Sequence, residues 1–394
     1  MQQFLQNIGK EHQFWNTQPV IQDGETNIEE GPIDPIFTPE SERAIPYKLP
    51  NGFEWVEIDL YDEKDAKDVY VMLEENYVED ADSVFRFAYS VDCLKWALCV
   101  PGYKKEYHLG VRLTRTGQLM GFITGTPTTV SIRGEPINMV DINFLCVEKR
   151  IRSKRLAPVL IKEIARRVHR NDEWQAVYTV GNTIPTPFAT TTYYHRILNA
   201  KKMVYVGFSC VPPKISMAGY IKLCRVPQKP KLQGLRRPTE DDIPVITEKL
   251  NKYLEQFPVH PIFTEEEAKH FLLPREGVLD SYVIEDATSG VITSFFSFFN
   301  IQSSIQHNDK YKEFIASYSY YYFSDNIPVT DLFADALVLA KNGGTDVFNS
   351  LNIMKNEEAF LPLRFHKGDG HLQYYFYNWR LNTIKSEEVG VVLP

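Results

Sequence analysis

The stretch from Met139 to Val180 limits what this chain can fold into more than any other. Met139 to Val147 (MVDINFLCV) is apolar, β-branched and aromatic, the composition of a buried strand. It runs into EKRIRSKR at Glu148 to Arg155, after which Leu156, Val159, Leu160 and Ile164 recur at helical spacing through Val168. A second strand is expected at Gln175 to Val180. Strand, basic turn, helix, strand is a crossover unit, which belongs to an α/β or mixed α+β fold.

The rest of the chain is organised around this unit. Gln18 to Pro50 is rich in proline and lacks helical periodicity, so it reads as an extended arm, with regular structure starting near Phe53. Ala66, Val69, Tyr70, Leu73 and Tyr77 mark a helix over Asp62 to Tyr77, which the acidic run Glu79, Asp80 and Asp82 should end in a loop. Tyr107 to Leu113, Leu119 to Thr124 and Thr128 to Ile132 read as antiparallel strands separated by glycine turns. Prolines and charge concentrate between Arg225 and Pro244, the composition of an interdomain connection. Beyond it, helices are expected at Ile243 to Phe257 and Val329 to Lys341, and strands at Ser281 to Glu285, Ile292 to Phe299, Ile315 to Phe323 and Val347 to Leu351. This order repeats the grammar of the first half and suggests one fold built twice, over residues 1–225 and 226–394.

Composition narrows the function. With 394 residues, 43% of them hydrophobic, the chain can fill two cores. A net charge of -8 argues against holding nucleic acid through the overall field and suits a cationic partner. Cys93, Cys99, Cys146, Cys210 and Cys224 lack paired metal spacing, and their odd number argues against a secreted disulfide framework, so a reducing cytoplasm is expected. No run reaches the roughly 18 apolar residues of a membrane span, and the first residues lack a signal core. Neither a metal site nor an obligate oligomer is indicated, so a monomer is expected.

Five of the seven residues from Lys149 to Arg155 are basic, and they stand where a strand hands over to a helix whose first amides lack partners. A pyrophosphate there would take hydrogen bonds from the amides around Ser153 to Ala157 and charge from Arg152, Lys154 and Arg155. A solvated basic loop has the same composition; the position at a junction favours phosphate. GxGxxG, Walker, HExxH, CxxC and GxSxG patterns are missing, which turns attention from nucleotide-fold, zinc and serine-hydrolase chemistry to coenzyme A.

INFLCVEKRIRSKRLAPVLIKEIARRV at Ile142 to Val168 resembles the signature of the N-myristoyltransferase family. FWNTQPV at Phe14 to Val20, NYVED at Asn76 to Asp80, FRFAYS at Phe85 to Ser90, GDGHLQYYFYNW at Gly368 to Trp379 and the terminal GVVLP are similar to it in the same order, from about Gln13 to Pro394. The resemblance implies two tandem halves of the acyl-CoA N-acyltransferase fold, related by a pseudo-twofold axis around a continuous mixed sheet. The first would bind acyl-CoA and the second much of a peptide. The activity implied is transfer of a tetradecanoyl group from myristoyl-CoA, a co-substrate rather than a resident cofactor, to the N-terminal glycine of peptides and nascent proteins. Two other readings are a small-acyl N-acetyltransferase, disfavoured because RSKRLA replaces its glycine-rich loop, and a silent acyl-CoA-binding protein.

The same resemblance implies roles residue by residue. Gln13, Phe14 and Trp15 would cover the coenzyme, Ser153, Arg155, Leu156 and Ala157 would hold its phosphates, and Phe144, Leu145, Cys146 and Val147 would line the thioester and pantetheine. Main-chain amides of Phe144 and Leu145 would form the oxyanion hole, the carboxylate of Pro394 would act as base, and Asn143 and Thr179 would hold the amine. The family commonly ends in Leu or Gln, so the terminal proline is a departure. Tyr77, Phe85, Phe87, Tyr89, Tyr193, His195, Ser319, Leu337, Leu372 and Tyr377 would lie along the peptide groove, with Asp80, Asp82 and Asp369 attracting basic residues. Ala81 interrupts the acidic run usual in the family, which should weaken that preference.

Overall fold

The structure, a computed structural model, describes residues 13–25, 29–34, 38–78, 84–306 and 308–394. Its strands are β1 (Phe53–Glu57), β2 (Phe85–Ala88), β3 (His108–Leu113), β4 (Leu119–Ile132), β5 (Glu135–Val147), β6 (Ala176–Val180), β7 (Ala189–Ile197), β8 (Leu235–Arg236), β9 (Val259–Pro261), β10 (Leu279–Glu285), β11 (Ile292–Ile305), β12 (Glu313–Ser324), β13 (Val347–Leu351) and β14 (His366–Tyr377). Its helices are α1 (Glu63–Asn76), α2 (Val91–Leu98), α3 (Leu156–His169), α4 (Ala200–Tyr205), α5 (Met217–Cys224), α6 (Ile243–Leu254), α7 (Glu265–Leu272), α8 (Val329–Asn342) and α9 (Glu357–Phe360).

One mixed sheet runs β1-β3-β4-β5-β6-β14-β7-β13-β12-β11-β10-β8, with β9 beside β4 and β2 beside β11. Read from its two edges inward, the order is the same. Three antiparallel pairings lead to a parallel pair, β5 with β6 on one side and β12 with β13 on the other. Each parallel pair is bridged by a crossover helix, α3 or α8, as two strands running the same way require. The two halves meet where β14 pairs with β7. There the chain exchanges strands: β7 joins β13 of the second half, and β14 joins β6 of the first. Two related halves in one continuous sheet, as the resemblance implied, are present.

Two sequence expectations are corrected. Leu119 to Thr124 and Thr128 to Ile132 form a single strand, β4, paired along β5 with a bulge opposite Phe144 and Leu145. Gly125 lies inside β4 because a Cβ there would come within 2.7 Å of Val140 Cγ1. Pro127 is tolerated because β3 ends at its pairing with Thr124 and β9 begins at Val130, so its missing N–H has no neighbour to serve. The connection from Arg225 to Pro244 also contains β8, the edge strand on β10.

Why α3 forms is plain from its residues. Leu156, Leu160 and Ile164 are buried against β4, Gly121 making room for Leu156 and Leu160, and Arg166, Arg167 and His169 complement the dipole in the last turn. Fully buried Glu163 accepts hydrogen bonds from Arg166, Arg167 and the Tyr47 amide, which staples the proline-rich arm across the helix. Burial raises the pKa of Glu163, but these bonds outweigh it and hold the carboxyl below its ordinary value.

Candidate active site

β5 and β6 are paired only at Val140 with Ala176 and Asp141 with Val177, and then part company. Where they diverge, Phe144 adopts a left-handed φ of 52° and, with Leu145, lacks a partner across β4. A cavity of about 520 Å³ opens at this gap. Its wall includes Ile123, Ile142, Ile161, Ile164, Ala165, Val168 and Trp174 on one side of the junction, and Tyr77, Phe87, Tyr89, Tyr193, Phe299, Tyr318 and Leu372 on the other. Asn143, Phe144, Leu145, Thr179, Leu393 and Pro394 stand between. No Asp, Glu, Lys or Arg side chain among the described residues lines it.

The junction is built from residues far apart in sequence. Asn143 Nδ2 donates to the Pro394 carbonyl-type oxygen at 2.8 Å, and Asn143 Oδ1 accepts from the Phe144 amide at 2.8 Å. The tail that brings Pro394 here is held by Tyr321, whose hydroxyl accepts from the Val392 amide at 2.9 Å, and by Tyr374, whose hydroxyl donates to Val391 O at 2.9 Å. The Phe144 ring is buried against Tyr77 and Tyr89 at 5.7 and 5.1 Å. Burial raises the pKa of Tyr77, Tyr89, Tyr193 and Tyr318, Tyr193 to about 12, so these hydroxyls stay neutral. Burial also pushes the Cys146 thiol up to about 12, so it offers almost no thiolate for an acyl-cysteine intermediate at neutral pH.

The basic turn is a short 3-10 segment, Lys149–Lys154, ending in Arg155 with φ 57°. Ser153, Lys154 and Arg155 are exposed, and no side chain caps the helix start behind them. Arg152 is exposed and also serves the fold. Its guanidinium donates to Val147 O at 3.1 Å and to Asn76 O, so it clamps the turn to the end of α1. Asn76 completes the clamp by accepting from the Lys149 amide at 3.0 Å, which fixes the neighbouring Tyr77.

Trp15 lies on the cavity wall, stacked 5.9 Å from Tyr178; Phe14 contacts it edge-on, and Gln13 is exposed. Cys146, Val147 and Leu156 are buried beneath the turn, and Ala157 is half-buried. Tyr377 is on the wall and donates to Gln18 Oε1 at 3.0 Å, on the arm side rather than beside Tyr193. Phe85, His195, Ser319, Leu337 and Asp369 are not on the wall. Leu337 is core on α8, and Phe85 packs on Phe208 and Phe314. Ser319 sits at a bulge of β12 on β11. His195 is bonded to Asn349 Oδ1 at 2.7 Å, and burial lowers its pKa. Asp369 is carried to solvent by the bulge Gly368 to Gly370 in β14. Asp80 and Asp82 lie outside the described residues.

Sequence reasoning missed several residues that the fold brings to the cavity. Ile161, Ala165 and Val168 repeat at helical spacing and gave a signal; Trp174, Phe299, Tyr318 and Leu393 gave none.

Residues 32–191 match the family described as myristoyl-CoA:protein N-myristoyltransferase, N-terminal domain, and residues 205–392 match its C-terminal domain. The chain is 45% identical over 389 residues to glycylpeptide N-tetradecanoyltransferase 1 of Arabidopsis thaliana, covering 98% of this chain and 89% of that one. The Dictyostelium discoideum glycylpeptide N-tetradecanoyltransferase is 46% identical over 385 residues, covering 98% and 93%. A crystal structure of Saccharomyces cerevisiae N-myristoyltransferase with bound myristoyl-CoA superposes with a TM-score of 0.93 at 40% identity, covering 98% of this chain and all of that one. Fold and relatives together define an acyltransferase of the two-half type. More narrowly, the chain belongs to the N-myristoyltransferase family.

Proposed function

We propose that this enzyme transfers a tetradecanoyl group from myristoyl-CoA to the N-terminal glycine amine of peptides and nascent proteins. The observation that carries the reading is the junction at the strand gap, where an apolar channel, an aromatic pocket and the carboxyl end of Pro394 converge. Residues 1–225 form the acyl-CoA half and 226–394 the greater part of the peptide half. The acyl chain lies along the α3 face formed by Ile161, Ala165 and Val168, with Trp15 over the coenzyme. Its phosphates take the uncapped start of α3 with Ser153 and Arg155.

The amine attacks the thioester carbonyl, the carbonyl oxygen gains negative charge, and the tetrahedral species collapses with loss of the coenzyme thiolate. Amides of Phe144 and Leu145 stabilise that oxygen. The Phe144 amide must first leave Asn143 Oδ1, so Asn143 turns from holding the amide to holding the amine with Thr179. A glycine amine has a pKa near 7.7–8.0 and an α-carboxyl about 3.5, a mismatch of roughly 5 to 6 kcal/mol. The Pro394 carboxylate, facing a wall that among the described residues holds no Asp, Glu, Lys or Arg, narrows that gap because a dry setting favours its protonated form. The aromatic walls leave room for an amine without a β-carbon, which selects glycine.

The test incubates Gly-starting and Ala-starting peptides with myristoyl-CoA and reads mass by mass spectrometry, using the enzyme as it is and with residues added after Pro394. Gain of a tetradecanoyl group on the Gly peptide alone, lost on extension, supports both transfer and the base. No gain with the unextended enzyme refutes transfer, and full activity after extension refutes the base.

A further inference from the structure

From Trp174 to Thr239 the chain contains no aspartate or glutamate, although its net charge is -8. Some of the cations in this stretch serve the fold: Arg196 donates to backbone carbonyls, Lys202 pairs with Asp346, Arg236 with Asp242 and Glu285, and Arg237 with Asp280. Lys201, Lys214, Lys222, Arg225, Lys229 and Lys231 do not. They are exposed and have no ion-pair partner among the described residues.

Large apolar side chains stand uncovered in the same place. Tyr205 is 56% exposed, and Ile215, Met217 and Leu223 are each more than a third exposed. They belong to one small body. α4 and α5 pack together over Met203, Tyr220 and Cys224, and Ser209 Oγ is 2.8 Å from the Tyr220 hydroxyl. From Pro213 into the first turn of α5 at Ala218 the chain is exposed without a break, and Lys214 turns it with a φ of 66°. Lys310, from the other side, lies 4.7 Å from the Tyr205 ring. This is an exposed, basic loop and helix that carries uncovered aliphatic side chains.

We propose that this face docks the enzyme on an anionic lipid bilayer. Lysines and arginines next to a membrane are drawn to its negative surface potential, and short aliphatic segments among them enter the boundary between headgroups and acyl chains. Ile215, Met217 and Leu223 decide between lipid and nucleic acid, because aliphatic groups gain nothing from a phosphate backbone, whereas a bilayer covers them. α4 follows directly on β7, whose Tyr193 lines the cavity, so docking sets the membrane beside the peptide-side wall. A single myristoyl chain holds a product to a membrane only marginally, and release next to a bilayer would raise its capture.

The experiment uses the full chain in vesicle sedimentation at low salt, with phosphatidylcholine vesicles and with vesicles containing about one-fifth phosphatidylserine. Binding to the anionic vesicles alone, weakened at least tenfold by about 0.5 M salt, is expected. The variant Lys214→Glu/Lys222→Glu/Arg225→Glu should lose that binding, and Ile215→Ser/Met217→Ser/Leu223→Ser should weaken it several-fold. Both should keep the melting temperature and the rate on a soluble peptide. Equal binding to both vesicle types, unchanged binding by the charge-reversed variant, or tighter binding to a single-stranded polynucleotide that the same charge reversal abolishes would each overturn the proposal.

Discussion

Replacing Asn143 with leucine removes the side chain that touches both Pro394 and Phe144 while keeping its size. The hydrogen bond to the Pro394 oxygen is 2.8 Å long, and when its acceptor is a carboxylate such a bond contributes about 1.5–3 kcal/mol. Because Asn143 also holds the amine as it attacks, a bond of that size is lost from the transition state, and at about 1.4 kcal/mol per decade that is a fall of roughly 10- to 150-fold in kcat/KM for the peptide. The loss should appear in kcat, with KM for acyl-CoA little changed, because Asn143 stands at the reacting end rather than on the α3 face. Asn143→Asp is the sharper form of the experiment. It sets a second carboxylate against the first, so activity should fall further than with leucine near pH 8 and recover partly on acidification, as the two groups come to share a proton. Coenzyme A release measured with a thiol reagent over about pH 6–9 reads both variants. A leucine variant within about threefold of the parent would refute the idea that Asn143 sets the base.

Ala165→Leu adds bulk where α3 lines the cavity; displacing two methylenes of a tetradecanoyl chain costs about 1.6 kcal/mol, so the preference should move toward dodecanoyl-CoA by roughly tenfold in competition assays. Gly368→Ala puts a Cβ 2.3 Å from His195 Nε2 and 3.1 Å from Tyr193 O, and the forced shift should destabilise the protein by about 1–3 kcal/mol in urea unfolding. Glu163→Gln should cost about 3 kcal/mol by leaving buried Arg166 without its counterion. Because the folded carboxyl of Glu163 titrates below its ordinary value, its contribution is complete above roughly pH 4.3 and is lost as pH falls through the lower folded value, so the gap between parent and variant should close in acid denaturation.

Local pattern was legible wherever one segment decides its own structure. α3 and β5 follow from a stripe at Leu156, Leu160 and Ile164 and from an unbroken apolar run. Gly125 misled because it carries a turn signal, whereas in β4 it answers the close approach of Val140, and Pro127 beside it falls between two neighbouring strands. The clamp that Arg152 makes on α1 was hidden because its partners, Val147 O and Asn76 O, are backbone atoms that no sequence pattern reveals. The meeting of Asn143 with Pro394 spans 251 positions, and Tyr318 and Phe299 come from the other half of the sheet. Such pairings depend on topology, and only the family motifs pointed to any of them in advance.

The exchange of β7 and β14 also governs when this molecule can become itself. β6 is made early, yet the strand it waits for, β14 (His366–Tyr377), follows every other strand named here in chain order. Until then the first half carries a bare strand edge, open to pairing with another chain. So does β7, whose partners β13 and β14 are both still to come. Closure therefore depends on contacts of long sequence separation, which form slowly. Neither half should persist as a separate fragment, and a nonsense mutation upstream of His366 should yield an aggregating product rather than a half-active enzyme.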